Sequence, residues 1–350
     1  MTTTITTTAT AVPPHVIVQS EVAAMLGELF GLEPSRQALA RGLFENSAVD
    51  RRYSVLPLAE VGQRRSITRT AALYHHHATD LARRAGADAL AKAGLSPRDV
   101  DLLVTVSCTG FTIPAIDVQL VHDLGLRPDV RRLPITELGC LGGAAALALA
   151  GEFVRARPGA VALVIAVELC TLNLQRDDLS PQNLVSTALF GDGAGAAVVQ
   201  GREAEGARIV AARSHIIPGS QEAMGFELRD DGFHMRLSRV VPDLLSAHLH
   251  APVHELLRAG DVERDDLAFF VIHPGGRRIL ERVEETLGLT RDHTEPSWSV
   301  LRGYGNLSSA TVFFVLDEHI ARRRPASGEH GLLAAFGPGV AAEMLLLQWS

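Results

Sequence analysis

Short continuous apolar runs, separated by amphipathic and polar stretches, recur along this chain and set the first expectation about its fold. Residues 102–106 (LLVTV), 160–169 (AVALVIAVEL), 268–272 (AFFVI) and most of 331–349 (GLLAAFGPGVAAEMLLLQW) are rich in Val, Ile, Leu and Ala, with almost no polar alternation. Strands of that kind are buried on both faces, which requires helices on each side of a sheet. Residues 20–31 (SEVAAMLGELFG) predict an amphipathic helix that lies outside these runs.

The runs recur in order. Residues 96–110 (SPRDVDLLVTVSCTG) read as a turn, an acidic cap and an apolar strand. Residues 263–276 (ERDDLAFFVIHPGG) have the same layout, with Asp99 matching Asp266 and Val104 matching Val271. Each leads into a helical segment with a similar ending, LVHDLGL at 120–126 and RVEETLGL at 282–289. A second pair follows, ELGCLGGAAALALA against GYGNLSSATVFFVL, which sets Gly139 on Gly305, Cys140 on Asn306 and Ala144 on Ala310. The steps from 104 to 271 and from 140 to 306 are 167 and 166 residues, so one register holds. Two apolar strands resemble each other by chance; an ordered set at one offset marks an internal repeat. The expectation is an α/β protein built of two layered β/α halves, with a site at their pseudo-twofold seam. The halves divide at GREAEG (201–206), giving 1–205 and 206–350.

Composition narrows the class. A chain of 350 residues with 47% hydrophobic and 21% charged residues belongs with soluble globular proteins, and a net charge of -7 gives no bulk attraction to nucleic acid or anionic lipid. Three cysteines, Cys108, Cys140 and Cys170, are an odd number without CxxC spacing, which points to free thiols in a reducing compartment. The start, MTTTITTTAT, has no basic segment and the first arginine is Arg36, so no signal or transit peptide is expected. The apolar stretch 138–151 is 14 residues long, short of the roughly 20 that span a bilayer. A soluble cytoplasmic protein, binding neither nucleic acid nor membrane, is expected.

Three residues stand out for chemistry. Cys140, in GCLGGAAALALA, sits between a strand and a small-residue helix, where the macrodipole and free N–H groups favour a thiolate. Gly142 and Gly143 then let a substrate carbonyl approach the sulfur. His273 closes the strand AFFVI and opens HPGG, at the rim of the sheet, where it can pair with a thiolate or donate to an oxyanion. Asn306, at the position symmetric to Cys140, can donate to an oxyanion without titrating, or simply cap a turn. A Cys/His/Asn set alone also fits a papain-like hydrolase, so residue types do not choose between hydrolysis and condensation. His75, His76 and His77 read as a solvated helical tract. FGDGAGAAVV (190–199) and AFGPGVAAE (335–343) match neither a dinucleotide fingerprint nor a Walker loop, and read as tight turns beside a cavity, with Phe190 or Phe336 close to it. No cluster has zinc-ligand spacing.

The phrases SCTGF, ELGCLGG, ALFGDGAGA, VIHPGG, GYGNLSSA and AFGPG, in this order, resemble the type III polyketide synthases of the chalcone synthase superfamily. The resemblance spans residues 47–349 and implies a thiolase-like αβαβα fold, a homodimer, and a catalytic triad at Cys140, His273 and Asn306. It further implies gatekeeping by Phe190 and by Met235, with Phe233 as the rival placement. Cys108, Asn173 and Ser308 become cavity-lining positions that tune starter size and chain length. Ile113, before Pro114, matches the residue that reaches the partner's cavity across the dimer. Arg51 and Arg52 are the candidates for coenzyme A contact.

The implied reaction loads an acyl starter from its coenzyme A thioester onto Cys140, decarboxylates malonyl-CoA, and joins the two in an iterated Claisen condensation before ring closure. Coenzyme A thioesters are substrates, and neither metal nor redox cofactor is required. The nearest alternative is the initiating ketoacyl synthase of fatty-acid synthesis, which shares fold and triad but takes acyl carrier protein; HPGG and AFGPG favour the polyketide reading. A wall of Cys108, Asn173 and Met235 is small and flexible, which favours aliphatic or malonyl starters over rigid aromatic ones and products of the pyrone, resorcinol or naphthalene type.

Overall fold

Both repeats fold into the same strand order, for the reason the apolar runs imply: each strand must be covered on two faces. The structure, a computed structural model, describes residues 2–230, 232–322 and 324–350. Its main sheet contains β1 (Thr4–Ala11), β2 (Leu102–Val106), β3 (Arg131–Ile135), β4 (Val161–Leu169), β5 (Asp192–Gln200), β6 (Ala207–Ile216), β7 (Leu267–Ile272), β8 (His330–Gly337) and β9 (Ala341–Trp349). The strand order is β7-β8-β9-β6-β1-β5-β4-β2-β3.

In the first half β2 and β4 are parallel, then β4, β5 and β1 run antiparallel. In the second half β7 and β8 are parallel, then β8, β9 and β6 run antiparallel. The halves join edge to edge where Thr4 meets Arg208 and Ile5 meets Ala207. The link between β5 and β6 is residues 201–206, where the charged phrase GREAEG lies.

Helices complete the layers: α1 (Ile67–Lys92), α2 (Gly142–Arg155), α3 (Pro181–Leu189), α4 (Arg277–Leu287), α5 (Arg291–Tyr304) and α6 (Thr311–Arg322). Leu147 and Val154 of α2 and Phe313 and Val315 of α6 share one core with Val104, Val164, Val271, Leu333 and Leu345. These two helices therefore lie between the sheets of the two halves. Alternate strand residues face outward: Leu103, Leu163 and Ile165 pack on α1, and Phe270, Ile272 and Leu332 pack on α4 and α5. The result is helix, sheet, helix, sheet, helix. The apolar stretch 138–151 contains most of α2, which is buried almost all round as a central helix must be.

Local signals agree across the repeat. A capping box ties Ser96 to Asp99 before β2, and another ties Glu263 to Asp266 before β7. Gly125 and Gly288 end the matching helices at φ 73° and 61°, the left-handed region that favours glycine. The early helix runs Gln19–Phe30, as its amphipathic pattern predicts. One asymmetry is large: β3 has no counterpart in the second half, where the chain ahead of Asn306 forms α5 instead.

Candidate active site

A cavity of about 1080 Å³ opens beyond the carboxyl ends of β2, β4 and β7, and Cys140, His273 and Asn306 all line it. Cys140 sits in the single turn Gly139–Leu141 that feeds α2, and Asn306 just ahead of the turn Ser308–Ala310 that feeds α6. The two turns cross at close range. A Cβ on Gly143 would lie 2.1 Å from the Ser309 carbonyl oxygen, and one on Gly142 would lie 2.7 Å from Val106 Cγ1. Gly143 is thus required where the two halves cross, and Gly142 by its packing against β2 in its own half.

The Cys140 thiol is hydrogen-bonded by the side chains of Ser308 and Asn306. Burial nonetheless pushes it up to about 11, and the nearby Glu168 carboxylate acts in the same direction against those two bonds. Burial therefore opposes the thiolate that a helix N-terminus favours. His273 follows β7 directly, and its backbone N–H donates to the Ala334 carbonyl at 2.8 Å. Its ring is buried, neither ring nitrogen has a partner within the protein, and burial pushes it down to about 3, so the imidazole is neutral. Each group alone resists ionisation. Passing the thiol proton to the imidazole creates two opposite charges together, which offsets part of the burial of each.

Asn306 is oriented by its own turn. Its Oδ1 accepts from the Ser308 N–H at 2.8 Å and from Thr311 Oγ1 at 3.5 Å. That leaves the amide N–H₂ for Cys140 and for the Gly275 carbonyl at 3.4 Å. The oxygen caps the turn, and the nitrogen remains on the cavity side as a donor. Its backbone bonds to Leu189 O at 2.8 Å and from Gly191 N at 3.0 Å hold Phe190 opposite it.

Cys108, Asn173, Phe190, Phe233, Met235 and Ser308 also line the cavity. Cys108 Sγ lies 3.3 Å from Ser308 Oγ, and Asn173 Nδ2 donates to the Thr109 carbonyl at 2.7 Å. Phe233 and Met235 are two apart on one strand of the hairpin Met224–Arg229/Gly232–Leu237, so both rival placements face inward. Phe190 and Phe336 both border the cavity, as the glycine-rich phrases imply.

Other positions differ from expectation. Arg52 is not available at the surface for coenzyme A. It is 4% exposed, donates to the carbonyls of Thr187 and Phe190, and is held near Asp192; burial lowers it to about 10. Strand alternation turns Arg51 outward, and it does not reach the cavity. Ile113, by contrast, is 83% exposed and does not line this chain's own cavity, which is compatible with a residue that reaches into a partner's.

Two groups escaped sequence reasoning. Glu168, at the end of the apolar strand β4, is fully buried and accepts from Ser107 Oγ at 3.3 Å, Cys108 N at 3.1 Å, Thr109 Oγ1 at 2.7 Å and Ser309 Oγ. It ties the back of the nucleophile's wall to the second half, and burial raises its pKa. Exposed arginines Arg239, Arg277 and Arg278 border the mouth. Arg277 pairs with Glu281 at 2.7 Å, while Arg239 and Arg278 have no ion pair among the described residues. The dipeptide after HPGG was the available signal.

Comparison with known proteins agrees with this geometry on both sides of the seam. The sequence matches the family model for chalcone and stilbene synthases, N-terminal domain, over residues 2–203, and the corresponding C-terminal domain over 208–349. It is 38% identical over 346 residues to 1,3,6,8-tetrahydroxynaphthalene synthase of Streptomyces peucetius subsp. caesius, covering 97% of this chain and 91% of that protein. It is 34% identical over 345 residues to phloroglucinol synthase of Pseudomonas fluorescens, covering 97% of each. The crystal structure of 1,3,6,8-tetrahydroxynaphthalene synthase from Streptomyces coelicolor superposes with a TM-score of 0.95 at 33% identity, covering 99% of both chains. The chain therefore belongs to the chalcone and stilbene synthase family and is a type III polyketide synthase with the thiolase-like fold.

Proposed function

We propose that Cys140 is the nucleophile of this synthase, and that His273 and Asn306 activate it and then stabilise the enolate of the extender. The observation that carries this reading is one cavity holding an orientable thiol, a neutral imidazole with two free nitrogens, and an amide whose N–H₂ is aimed by its own turn. The thiol proton moves to His273 as the sulfur attacks the acyl-CoA carbonyl; the coenzyme A thiolate leaves and takes that proton. Malonyl-CoA then loses carbon dioxide, and the developing thioester enolate accepts hydrogen bonds from the His273 ring and the Asn306 amide. The enolate carbon attacks the Cys140 thioester, the carbon–sulfur bond breaks, and the chain is two carbons longer. Decarboxylation supplies the carbanion, so this sequence needs no metal or redox group. The largely apolar lining around the thiol disfavours water that would protonate the carbanion.

The phosphates of coenzyme A are assigned to the mouth, at Arg239 and Arg278, in place of Arg51 and Arg52. We further read the protein as a cytoplasmic homodimer. Support comes from the open edge of β3, from exposed Phe111, Ile113, Leu133 and Leu138 on the same half, and from three free thiols. No helix among the described residues is long and apolar enough to cross a membrane. The initiating ketoacyl synthase reading is not favoured, since both halves match chalcone and stilbene synthases. Incubation with malonyl-CoA and a panel of acyl-CoA starters, with products identified by mass, tests the activity. Absence of any product longer than the starter, together with no carbon dioxide from malonyl-CoA, would refute it.

A further inference from the structure

The cavity is large, and the part of its lining contributed by the N-terminal elements has one chemical character. Its 1080 Å³ lies at or above the roughly 300–1,000 Å³ of ordinary small-molecule sites. Besides Cys140, Cys170 and Asn173, its lining extends to the N-terminal elements, whose helix Pro34–Glu45 packs on α3, as the Phe233/Met235 hairpin also does. There it is lined by Ile17, Val22, Phe30, Leu43, Leu58 and Val61. No charged side chain is among these six.

Polar groups bordering this lobe are already committed. Asn183 Nδ2 donates to the carbonyls of Gln175 and Asp178 at 2.6 and 2.7 Å, and Ser47 Oγ to that of Phe44 at 2.6 Å. Thr171 Oγ1 donates to Asp192 at 2.6 Å. Arg52 Nε has no partner but is sealed within the protein rather than presented to the lobe. A polyketide assembled from malonyl units alone carries an oxygen at every second carbon, and in this lobe those oxygens would lose water without gaining partners. An alkyl chain loses nothing there and gains the burial of each methylene.

We propose that this synthase takes a medium- to long-chain aliphatic acyl-CoA as starter, with the tail housed in the lobe lined by Val22, Phe30 and Val61 while its carbonyl sits on Cys140. The proposal rests on the condensing function above and names its starter class. The growing, oxygen-rich chain then lies against Phe190, Phe233 and Met235.

The test is a chain-length profile. Initial rates are measured for acetyl-, butyryl-, octanoyl-, lauroyl- and palmitoyl-CoA, each with malonyl-CoA, and for malonyl-CoA alone. We expect kcat/KM to rise on the order of tenfold per two carbons until the lobe is full, with the optimum at octanoyl or longer. Val61→Phe, and Leu43→Phe at a half-buried position with more room, are expected to lower the ratio of lauroyl to acetyl kcat/KM by roughly tenfold. Taking the ratio within each protein removes any general damage from the substitution. A profile that is flat, or fastest with malonyl-CoA alone or acetyl-CoA, overturns the proposal, as does an unchanged ratio in both folded variants. Failure of the underlying function looks different: no acyl adduct on Cys140 and no decarboxylation with any starter, which overturns both.

Discussion

The turn at Gly139–Leu141 and the turn at Ser308–Ala310 occupy matching places in the two halves, yet they do different work. At the common offset, Cys140 faces Asn306, Gly142 matches Ser308 and Gly143 matches Ser309, and these symmetry mates touch: the Cys140 thiol is bonded by Asn306 and Ser308, and Gly143 lies against the Ser309 carbonyl. A pseudo-twofold axis brings equivalent residues together, so a site on it would hold two copies of one group unless the halves diverged. Condensation needs an electron donor and a proton donor at one carbon, and the divergence supplies that pair. The C-half turn uses Asn306 Oδ1 to hold itself in shape, while the N-half turn has no side-chain cap and presents its thiol to the Asn306 and Ser308 side chains.

The strongest way to break this division is to delete the N-half group. Cys140→Ala is expected to reduce condensation by roughly 10⁴-fold or more, as loss of a nucleophile does. Cys108→Ala and Cys170→Ala should retain measurable turnover, although both thiols are pushed up by burial in the same region. Product formation by purified Cys140→Ala, followed by mass, would move the nucleophile elsewhere.

His273 tests whether ionisation belongs to the pair. In His273→Ala the thiol has no neighbouring base, and burial, reinforced by the Glu168 carboxylate against the Ser308 and Asn306 bonds, keeps it at about 11. Iodoacetamide alkylation of Cys140 should then be slow at pH 7 and climb about tenfold per pH unit towards that value, since the thiolate is the reactive form. With the imidazole present, the proton has a local acceptor and alkylation should reach its plateau at lower pH. Superimposable profiles for the two proteins would show that His273 does not govern the thiol.

Asn306→Ala removes the C-half donor and is expected to slow malonyl-CoA decarboxylation on the order of a hundredfold, with a smaller loss in starter loading, where less charge develops on oxygen. Equal losses in both half-reactions would make Asn306 a turn-capping residue only, since its Oδ1 bonds to Ser308 and Thr311 are lost in the same variant.

What could be read in the sequence follows from which features are periodic. The repeat was legible because each half must bury the same strands, and it led directly to Cys140 and Asn306. Glu168 was not, because one carboxylate at the end of a nine-residue apolar strand looks like an interruption; its partners Ser107, Thr109 and Ser309 meet it only in three dimensions. Arg51 and Arg52 read as two surface cations, yet a strand sends neighbours to opposite faces and the sequence does not say which turns inward. A helix N-terminus at Cys140 is visible in one dimension, but the depth of burial that opposes its thiolate is not. The absent fifth strand of the second half was hidden too, since RDHTEPSWSVLRGY forms α5 where the repeat alone would place a counterpart of β3.

The mouth of the cavity extends the contrast between halves and gives the smallest expected effect. Its N-half lip is formed by Leu39, Gly42 and Asn46 and is uncharged, whereas its C-half lip carries Arg239, Arg277 and Arg278. Only Arg277 is neutralised, by Glu281, which leaves two guanidinium groups for phosphate in a protein of net charge -7. Guanidinium suits phosphate because its N–H groups match two oxygens at once. Both side chains are exposed, so each contact is screened and worth little alone. We expect the double variant Arg239→Ala/Arg278→Ala to raise KM for malonyl-CoA by about tenfold, and the gap from the parent to narrow as salt is added. Malonyl-pantetheine, which lacks the nucleotide phosphates, serves as the control. Its KM should respond far less, because the lost contacts are ones it never makes. Equal rises for the two thioesters would show that these arginines shape the channel rather than hold the phosphates, and would move coenzyme A recognition to the N-half lip.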